Sequence, residues 1–336
     1  MYFPQERHTF LKDQALPQNG ITTIDQAFPL DGSGWYKLRL ILKIALTIGT
    51  GTTPIKEGAY KFLKAIYLKT SRGETILNGV PGLGLFQWNR YFGERVPFHD
   101  EVAASDGVYY AALDIPFVYP FLRFPEDTLL DTNRYNRLEL KIQTGSVSDL
   151  LGSVGTATAT FSLTFEVFKT KSARLGYLKP ERVAGRKGVA GRPSVVPFIQ
   201  YLGAIDPSSV KKFDLDSKDG LGYLGFLLAC GTSWAEPFYS TQADNIDDIS
   251  FMDGLGRWLD GVTVGSAKHE RWMYAGYDAY TINSVGIYPH LFIKQGSINE
   301  VFPSGGQGRN LRLEIGTVIT GTNKVDCLVF GVQDLG

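Results

Sequence analysis

The sequence of 336 residues is poor in cysteine and histidine, with two cysteines and four histidines. Two cysteines, Cys230 and Cys327, cannot build the multi-disulfide framework of a small secreted domain. Both lie in apolar stretches, so we predict that they are buried free thiols. No Cys-x-x-Cys or His-Glu-x-x-His spacing occurs, which argues against a zinc site.

A net charge and a long apolar run are also missing. Lys and Arg total 34, as do Asp and Glu. A protein that coats DNA by neutralising phosphates usually carries a basic excess. The longest apolar run, 221–230, has half of the roughly 20 residues that a membrane span needs. Residues 1–14 lack the apolar core of a signal peptide. We therefore expect neither a membrane-spanning protein nor secretion by the standard route.

The common catalytic motifs are absent as well. The sequence contains no Gly-x-x-x-x-Gly-Lys-Ser/Thr phosphate loop and no Gly-x-Gly-x-x-Gly between a strand and a helix. It contains no Gly-x-Ser-x-Gly nucleophile turn. We predict that the chain is not an enzyme, with no catalytic residue and no cofactor.

The best candidates for metal ligands are three aspartates that precede a glycine, Asp214, Asp216 and Asp219. They resemble part of a calcium loop, but the third aspartate comes one position late, a lysine lies among them and the closing glutamate is missing. Apolar residues alternate with these acids. A strand that runs into an Asp-Gly turn is the favoured interpretation, which leaves the three aspartates as weak metal candidates.

The strongest pattern is the alternation of apolar and polar residues. It runs through segments 38–48, 60–70, 138–143 and 157–167. Successive side chains of a strand point to opposite faces, so this period of two predicts strands with one buried face. The 38 glycines and 16 prolines divide the chain into many short segments. Short strands with frequent turns predict an all-β protein made of sandwiches or barrels.

Helical periodicity is scarce. Short helices are predicted at 85–92, 246–259 and 148–154, the second because Ile249, Met252, Leu255 and Trp258 recur every three residues. A second acidic group overlaps this segment and consists of Asp244, Asp247, Asp248 and Asp253. It could hold calcium or supply paired catalytic carboxylates. We favour the simpler interpretation, in which these acids stabilise the N-terminus of a helix.

A basic, glycine-rich segment divides the chain into two halves. Its cations are Lys169, Lys171, Arg174, Lys179, Arg182, Arg186, Lys187 and Arg192, with one acid among them. Several glycines and a proline break regular structure there, which indicates a flexible linker. We predict an N-terminal arm at 1–19, a first domain at 20–170, the linker at 171–194 and a second domain at 195–336.

The two halves end alike. Segment 134–140, Arg-Tyr-Asn-Arg-Leu-Glu-Leu, corresponds to 309–315, Arg-Asn-Leu-Arg-Leu-Glu-Ile, at an offset of 175 residues. In each half a loop and a further strand follow, and each pair of strands could form a hairpin. Self-similarity at a fixed offset indicates that one kind of domain is used twice. Chance similarity between amphipathic strands is the alternative.

Segment 37–95 carries a resemblance to a known family. A long amphipathic strand is followed by Glu-Gly-Ala-Tyr-Lys-Phe at 57–62, by Ile-Tyr-Leu-Lys-Thr-Ser-Arg-Gly-Glu-Thr-Ile at 66–76, and by Gly-Val-Pro-Gly at 79–82. An aromatic, helix-like stretch comes next. This order resembles the first jelly roll of the major capsid proteins of tailless icosahedral bacteriophages with an internal membrane, the lineage that includes adenovirus hexon. Length, repeat and β pattern extend the resemblance to nearly the whole chain.

The resemblance implies an all-β fold of two consecutive eight-stranded antiparallel jelly-roll sandwiches with a few short helices. It implies a major capsid protein, a homotrimer with a pseudo-hexagonal outline that self-assembles into an icosahedral shell around the genome, with an internal membrane. The implied partners are neighbouring trimers and penton or minor capsid proteins. The implied location is the virion, after assembly in the host cytoplasm.

The capsid interpretation also gives the basic segment a role. Lys179, Arg182, Arg186, Lys187 and Arg192 would contact the anionic genome or anionic lipid head groups on the inner side of the shell. The alternative is that this segment crosses the outer surface between the domains.

Two other functions fit parts of the sequence. Aromatic residues make up 13% of the chain, and with the acidic groups they could serve a carbohydrate-binding or carbohydrate-active β-sandwich protein of a phage tail or adhesin. No clear carboxylate pair supports this alternative. A nucleic-acid-binding protein is the third hypothesis, and it depends on the basic segment alone.

Overall fold

The computed structural model divides into two compact units, unit 1 with Met1–Pro120 and Pro125–Val196, and unit 2 with Phe121–Phe124 and Pro197–Gly336. The structure describes residues 5–24, 28–50, 52–94, 96–103, 105–123, 125–170, 195–231, 238, 246, 248–263, 286–293, 300–304, 310–316 and 324–333. The predicted linker, 171–194, lies outside the described residues. No helix in the described part of the chain has the length and apolar character needed to cross a bilayer.

Unit 1 is built of strands, with two α-helices and three 3₁₀ turns among its described residues. The strands are β1 Gln5–Leu16, β2 Ile21–Ile24, β3 Gly34–Thr47, β4 Thr53–Pro54, β5 Leu63–Thr70, β6 Thr75–Val80, β7 Gly107–Pro116, β8 Leu130–Asp131, β9 Leu138–Thr144, β10 Leu151–Ser153 and β11 Thr158–Thr170. The helices are α1 Gly58–Lys61 and α2 Gly82–Phe92, and the 3₁₀ turns are Pro125–Thr128, Thr132–Arg134 and Val147–Asp149.

Eight of these strands form two antiparallel sheets. One sheet has the order β1-β11-β3-β7 and the other contains β2, β9, β5 and β6 in that order. Counted along the chain, the first sheet joins the first, eighth, third and sixth of the eight strands. The second joins the second, seventh, fourth and fifth. This is the strand order of a jelly roll.

The core of unit 1 follows from the alternation in the sequence. Along β3, every second residue from Leu38 to Leu46 is buried, and the residues between them are half-buried. The central strand β11 alternates in the same way, and its Phe161 stacks on Phe62 with ring centroids 3.7 Å apart. The predicted strands at 38–48, 138–143 and 157–167 are therefore confirmed.

Unit 2 repeats the arrangement. Its strands are β12 Val196–Ile205, β13 Lys212–Asp214, β14 Gly222–Gly231, β15 Asp248–Met252, β16 Trp258–Thr263, β17 Ile287–Leu291, β18 Phe302–Pro303, β19 Arg312–Ile315 and β20 Lys324–Gln333. One sheet has the order β12-β20-β14-β17 and the other β13-β19-β15-β16. When the short β18 is left out of the count, one sheet again joins the first, eighth, third and sixth strands of the unit. The other sheet joins the second, seventh, fourth and fifth strands.

The shared strand order is what the repeat in the sequence predicts, and the expected all-β fold of two antiparallel jelly rolls is confirmed. The core of unit 2 is apolar and rich in aromatic rings; Phe251 stacks on Phe292 with centroids 4.4 Å apart. Cys230 and Cys327 are both buried in this core as free thiols, as predicted.

The predicted hairpins at the ends of the two halves are wrong. In unit 1, β9 pairs with β2 and β5, whereas β11 pairs with β1 and β3. In unit 2, β19 pairs with β13 and β15, whereas β20 pairs with β14. The seventh and eighth strands enter opposite sheets, so that their apolar faces meet across the core of the sandwich, whereas a hairpin would place both strands in one sheet.

Two of the three predicted helices are also wrong. The helix at 85–92 exists and begins earlier, at Gly82. Segment 246–259 instead contains the hairpin of β15 and β16, and 148–154 contains the end of a 3₁₀ turn and β10. Apolar residues recur every three positions across 246–259 because a glycine-rich turn joins two strands, and each strand by itself has a period of two. The opposite error occurs in the strand predicted at 60–70, because Tyr60 belongs to helix α1 and β5 begins only at Leu63.

The N-terminal segment differs from the expected arm. Residues Gln5–Leu16 form β1, which pairs with β11 from Gln5 opposite Thr170 to Leu16 opposite Phe161. Its pairing shifts register twice, between Thr9 and Leu11 and between Leu11 and Gln14. Such bulges disturb the alternation of apolar and polar residues, and this is why the segment did not look like a strand.

The central position of β11 generates a stability prediction. Leu163→Ala should lower the free energy of unfolding of unit 1 by about 2 to 5 kcal/mol, because Leu163 is fully buried between β1 and β3. Ser162→Ala, on the half-buried opposite face, is the matched control and should change it by less than about 1 kcal/mol. Urea unfolding followed by tryptophan fluorescence measures both. Equal losses for the two variants would contradict the assigned faces.

Candidate functional site

The three aspartates proposed as weak metal ligands do not come together as a site. Asp214, Asp216 and Asp219 are exposed, while the apolar residues on either side of Asp214, Phe213 and Leu215, are buried. Asp214 ends β13 and lies 3.3 Å from the Nζ of Lys212. A turn follows at Asp219 and Gly220, with a positive φ of 78° at the glycine. In the part of the chain that the structure describes, no three His, Cys, Asp or Glu side chains group as metal ligands.

The second acidic group is split. Asp244 and Asp247 lie outside the described residues, and Asp248 begins β15. Asp253 is buried in the turn between β15 and β16, so it does not stabilise a helix. Its carboxylate accepts hydrogen bonds from the backbone N–H groups of Leu255 and Arg257, at 3.0 and 2.9 Å.

This tip turn, residues 253–257, is held by several internal hydrogen bonds and has an exposed apolar end. The Nε of Arg257 also donates to Asp253 at 2.6 Å, and backbone hydrogen bonds join Asp253 N to Arg257 O and Gly256 N to Asp253 O. Leu255 at its end is 76% exposed. The carboxylate of Asp253 therefore fixes the turn from inside, and the leucine points away from the core.

The basic segment can be followed only at its start. Lys169 belongs to β11 and pairs with Asp31. Lys179, Arg182, Arg186, Lys187 and Arg192 lie outside the described residues. Their role in anion contact stays a prediction.

The edge strand β7 carries an exposed apolar patch that the sequence analysis missed. The backbone of 98–100 pairs along it: Ala112 N donates to Phe98 O at 2.8 Å, and Asp100 N to Tyr110 O at 2.7 Å. Val96, Phe98, Val108 and Tyr110 are 55%, 66%, 49% and 41% exposed. We call these four residues the β7 patch. Val108 and Tyr110, two residues apart in a strand, were the only signal available.

Acidic residues surround the β7 patch. Asp100 accepts a hydrogen bond from the backbone N–H of Tyr110 at 2.9 Å, and Asp106 accepts one from Ile48 at 2.6 Å. Glu101 is exposed and lies 3.1 Å from the ring of His99. One described cation, Lys43, is cross-strand from Tyr110, and it lies 3.7 Å from Asp13. The described rim of the patch is therefore net negative.

The other end of β7 is held by an ion group. Arg39 of β3 donates to Asp114 from Nε at 2.7 Å and from its terminal nitrogen at 3.0 Å, and Lys37 lies 2.9 Å away. Burial raises the pKa of Asp114, but the hydrogen bond from Arg39 and the charge of Lys37 outweigh it and hold that pKa below its usual value. The side chain of Asn89 bonds both backbone groups of Asp114. Helix α2 thus covers this edge and blocks further strand pairing there.

An open cleft lies beside this ion group. Its walls include Tyr36, Trp88 and Pro116, with Lys37 and Asp114 within it. Since Asp114 is paired with both Lys37 and Arg39, the cleft is better suited to an apolar contact than to acid–base chemistry.

Unit 2 contains a buried charged group on β20. Lys324 and Asp326 are both buried, 3.7 Å apart, and the hydroxyl of Tyr201 donates to Asp326 at 2.7 Å. Burial raises the pKa of Asp326 to about 6, although the charge of Lys324 and the hydrogen bond from Tyr201 act in the opposite direction.

This raised pKa predicts a pH-dependent stability. Asp326 takes up a proton at higher pH in the folded state than in the unfolded state, so the folded state is favoured at low pH and loses up to about 3 kcal/mol as pH rises from 4 to 7. Asp326→Asn stays neutral throughout. Relative to the wild type, its free energy of unfolding should therefore rise between pH 4 and pH 7.

Urea unfolding at pH 4, 5, 6 and 7 measures this difference. At pH 4 both proteins place a neutral side chain beside Lys324, so the loss of the ion pair does not obscure the comparison. Asp214→Asn, at an exposed position, is the control. A difference that does not change with pH would refute the prediction.

The comparisons with known proteins concern the whole chain. No protein-family model and no curated protein matches it. Among solved structures, the STIV MCP matches with a TM-score of 0.66 at 12% identity, covering 98% of this chain and 96% of that chain. A chain in the atomic structure of Sulfolobus Turreted Icosahedral Virus matches with a TM-score of 0.67 at 13% identity, covering 97% and 90%.

A third match is the major capsid protein P2 of bacteriophage PM2, with a TM-score of 0.57, 13% identity and coverage of 98% of both chains. The likeness extends over both units. The chain therefore has the double jelly-roll fold of these viral major capsid proteins.

Proposed function

We propose that this chain is a major capsid protein that self-assembles into an icosahedral virus shell around the genome. The observation that supports this most directly is the match of the fold over 98% of this chain and 98% of the phage PM2 major capsid protein. A carbohydrate-binding protein can be built on one sandwich, but nothing in that function requires two sandwiches of the same strand order in one chain.

The duplicated fold suits a shell subunit of a particular symmetry. Three copies of a chain with two similar units present six similar sandwiches. A trimer with closed threefold symmetry can then approximate a hexagonal tile, and contacts between trimers extend the lattice. The homotrimer and its pseudo-hexagonal outline are therefore part of the proposal. So are the penton or minor capsid proteins that would close the vertices.

The proposal assigns no catalytic role to the chain. Its exposed aspartates, Asp214 and Asp216, lie on the polar side of β13 and its following turn, where acids keep a sandwich soluble. The location that follows is the virion shell, after assembly in the host cytoplasm. An internal membrane or the genome would meet the shell from inside through non-specific charge contacts.

Self-association of the purified chain tests the proposal. We expect a stable trimer, three times the 37.1 kDa of one chain, held by interfaces on the order of 2,000 Å² or more. Light scattering after size-exclusion chromatography gives the mass, and negative-stain electron microscopy should show hexagonal capsomers or shells. A monomer at micromolar concentration would overturn the proposal, and discrete sugar-binding oligomers would favour the carbohydrate alternative.

The basic segment generates a separate prediction. We consider a triple variant with the substitutions Arg182→Glu, Arg186→Glu and Lys187→Glu. It should still form the trimer, but particle assembly or the binding of anionic vesicles or genome should be weaker. Each cation near an anionic surface contributes about 1 kcal/mol, and this contribution decays over about 8 Å at physiological salt. The effect should therefore be larger at low salt.

Glutamate at the exposed Lys211 and Lys212 is the matched control for a local loss of positive charge. Particle yield and vesicle co-sedimentation at two salt concentrations are the measurements. Unchanged assembly and unchanged vesicle binding after the triple reversal would show that the segment does not serve the inner surface.

A further inference from the structure

Two exposed apolar features of the described chain have complementary character. The tip turn of unit 2 presents Leu255, 76% exposed, with the side chain of Arg257 68% exposed beside it. The β7 patch of unit 1 presents aromatic and aliphatic side chains within a net negative rim. One feature is a small apolar projection with a cation, and the other is a broader apolar surface among acids. Exposed apolar groups of this kind mark contact surfaces.

The tip turn is also prepared for binding in its free state. The carboxylate of Asp253 accepts two hydrogen bonds from the backbone N–H groups of Leu255 and Arg257 and a third from the side-chain Nε of Arg257. Gly256 has a φ of 75°, a conformation that most residues avoid. A turn that is already ordered loses little conformational entropy when it binds, which raises affinity.

We propose that the tip turn of one copy of this chain packs Leu255 against the β7 patch of a second copy, with Arg257 facing the acidic rim. The inference rests on the proposed capsid function and names residues of its self-association. The occupant is a second copy because the two complementary surfaces belong to the same chain. A contact that joins different surfaces of two copies is heterologous, so it can repeat around a ring or along a lattice.

The sign of a charge introduced at Leu255 tests this pairing. Leu255→Glu loses the apolar contact and places an anion beside Asp100, Glu101 and Asp106. It should weaken self-association at least tenfold. Leu255→Lys loses the same contact but places a cation beside those acids, so it should weaken self-association clearly less. This difference should shrink at high salt.

A second substitution on the patch side completes the cycle. Glu101 is exposed and bonds no backbone of β7; its carboxylate contacts the ring of His99 at 3.1 Å and accepts a hydrogen bond from the backbone N–H of Glu57 at 3.5 Å. Because both contacts are local, Glu101→Lys should keep the fold of unit 1. In the Glu101→Lys background two acids still face one cation, so the difference between Leu255→Lys and Leu255→Glu should shrink, and Leu255→Glu should recover at least threefold. Val210→Glu, at another exposed aliphatic residue of unit 2, is the control and should associate like the wild type. Circular dichroism verifies the fold of every variant.

The association constant comes from sedimentation equilibrium of the full chain, and particle yield from electron microscopy. If the wild type associates and the Leu255→Glu variant associates equally well, this inference is wrong and the proposed function is unaffected. Equal effects of Glu and Lys in both backgrounds overturn the pairing with the β7 patch. A monomeric wild type overturns both proposals.

Discussion

Each sheet of this chain has one apolar face, and the need to bury that face against a second sheet determines most of the structure. The eighth strand of unit 1, β11, shows this directly, because its alternate residues are buried while it pairs with neighbours on both sides. The seventh strand, β9, has the same alternation and must bury its own face from the opposite sheet. Two strands that are adjacent in the sequence are thus separated by a full sandwich. The same requirement acts on β19 and β20 in unit 2, and the two units share one strand order as a result.

The polar faces of these sheets are organised by a second constraint, which is that buried charges need partners. The buried Asp114 forms ion pairs with Arg39 and Lys37. The buried Asp326 lies beside Lys324 and accepts a hydrogen bond from Tyr201. The pKa values of these two aspartates shift in opposite directions. The partners of Asp114 outweigh its burial and favour the anion, whereas burial of Asp326 dominates and favours the neutral acid. Similar sandwiches can therefore respond differently to pH, because the balance between burial and pairing is local.

Much of the fold could be predicted from the sequence, because strands with one buried face have a period of two that needs no tertiary information. This held for β3, β9 and β11. The prediction failed where the chain changes direction. The turn at Asp253 and its neighbouring glycines joins two short strands, and the combined spacing of their apolar residues resembles that of a helix. Strand β1 was not predicted because its register shifts interrupt the alternation. Pairing partners could not be predicted, since alternation says which face is buried and not which strand lies alongside. The β7 patch escaped notice for a related reason. Phe98 and Tyr110 are 12 positions apart, and only the pairing of 98–100 with β7 makes them neighbours.

A duplicated domain is useful to a self-assembling chain only if its two copies differ where they meet other molecules. The strand order is common to both units, and two of the differences between them lie in the connections. Between the fifth and sixth strands, unit 1 has helix α2 and the segment that forms part of the β7 patch. Between the fourth and fifth strands, unit 2 has the tip turn, while the equivalent connection of unit 1 is a short turn at 71–74 with no large apolar side chain. Identical units could only offer the same surfaces twice. Unequal connections on equal frameworks let one chain supply both sides of a heterologous contact, which is the kind of contact that a closed ring of identical chains requires.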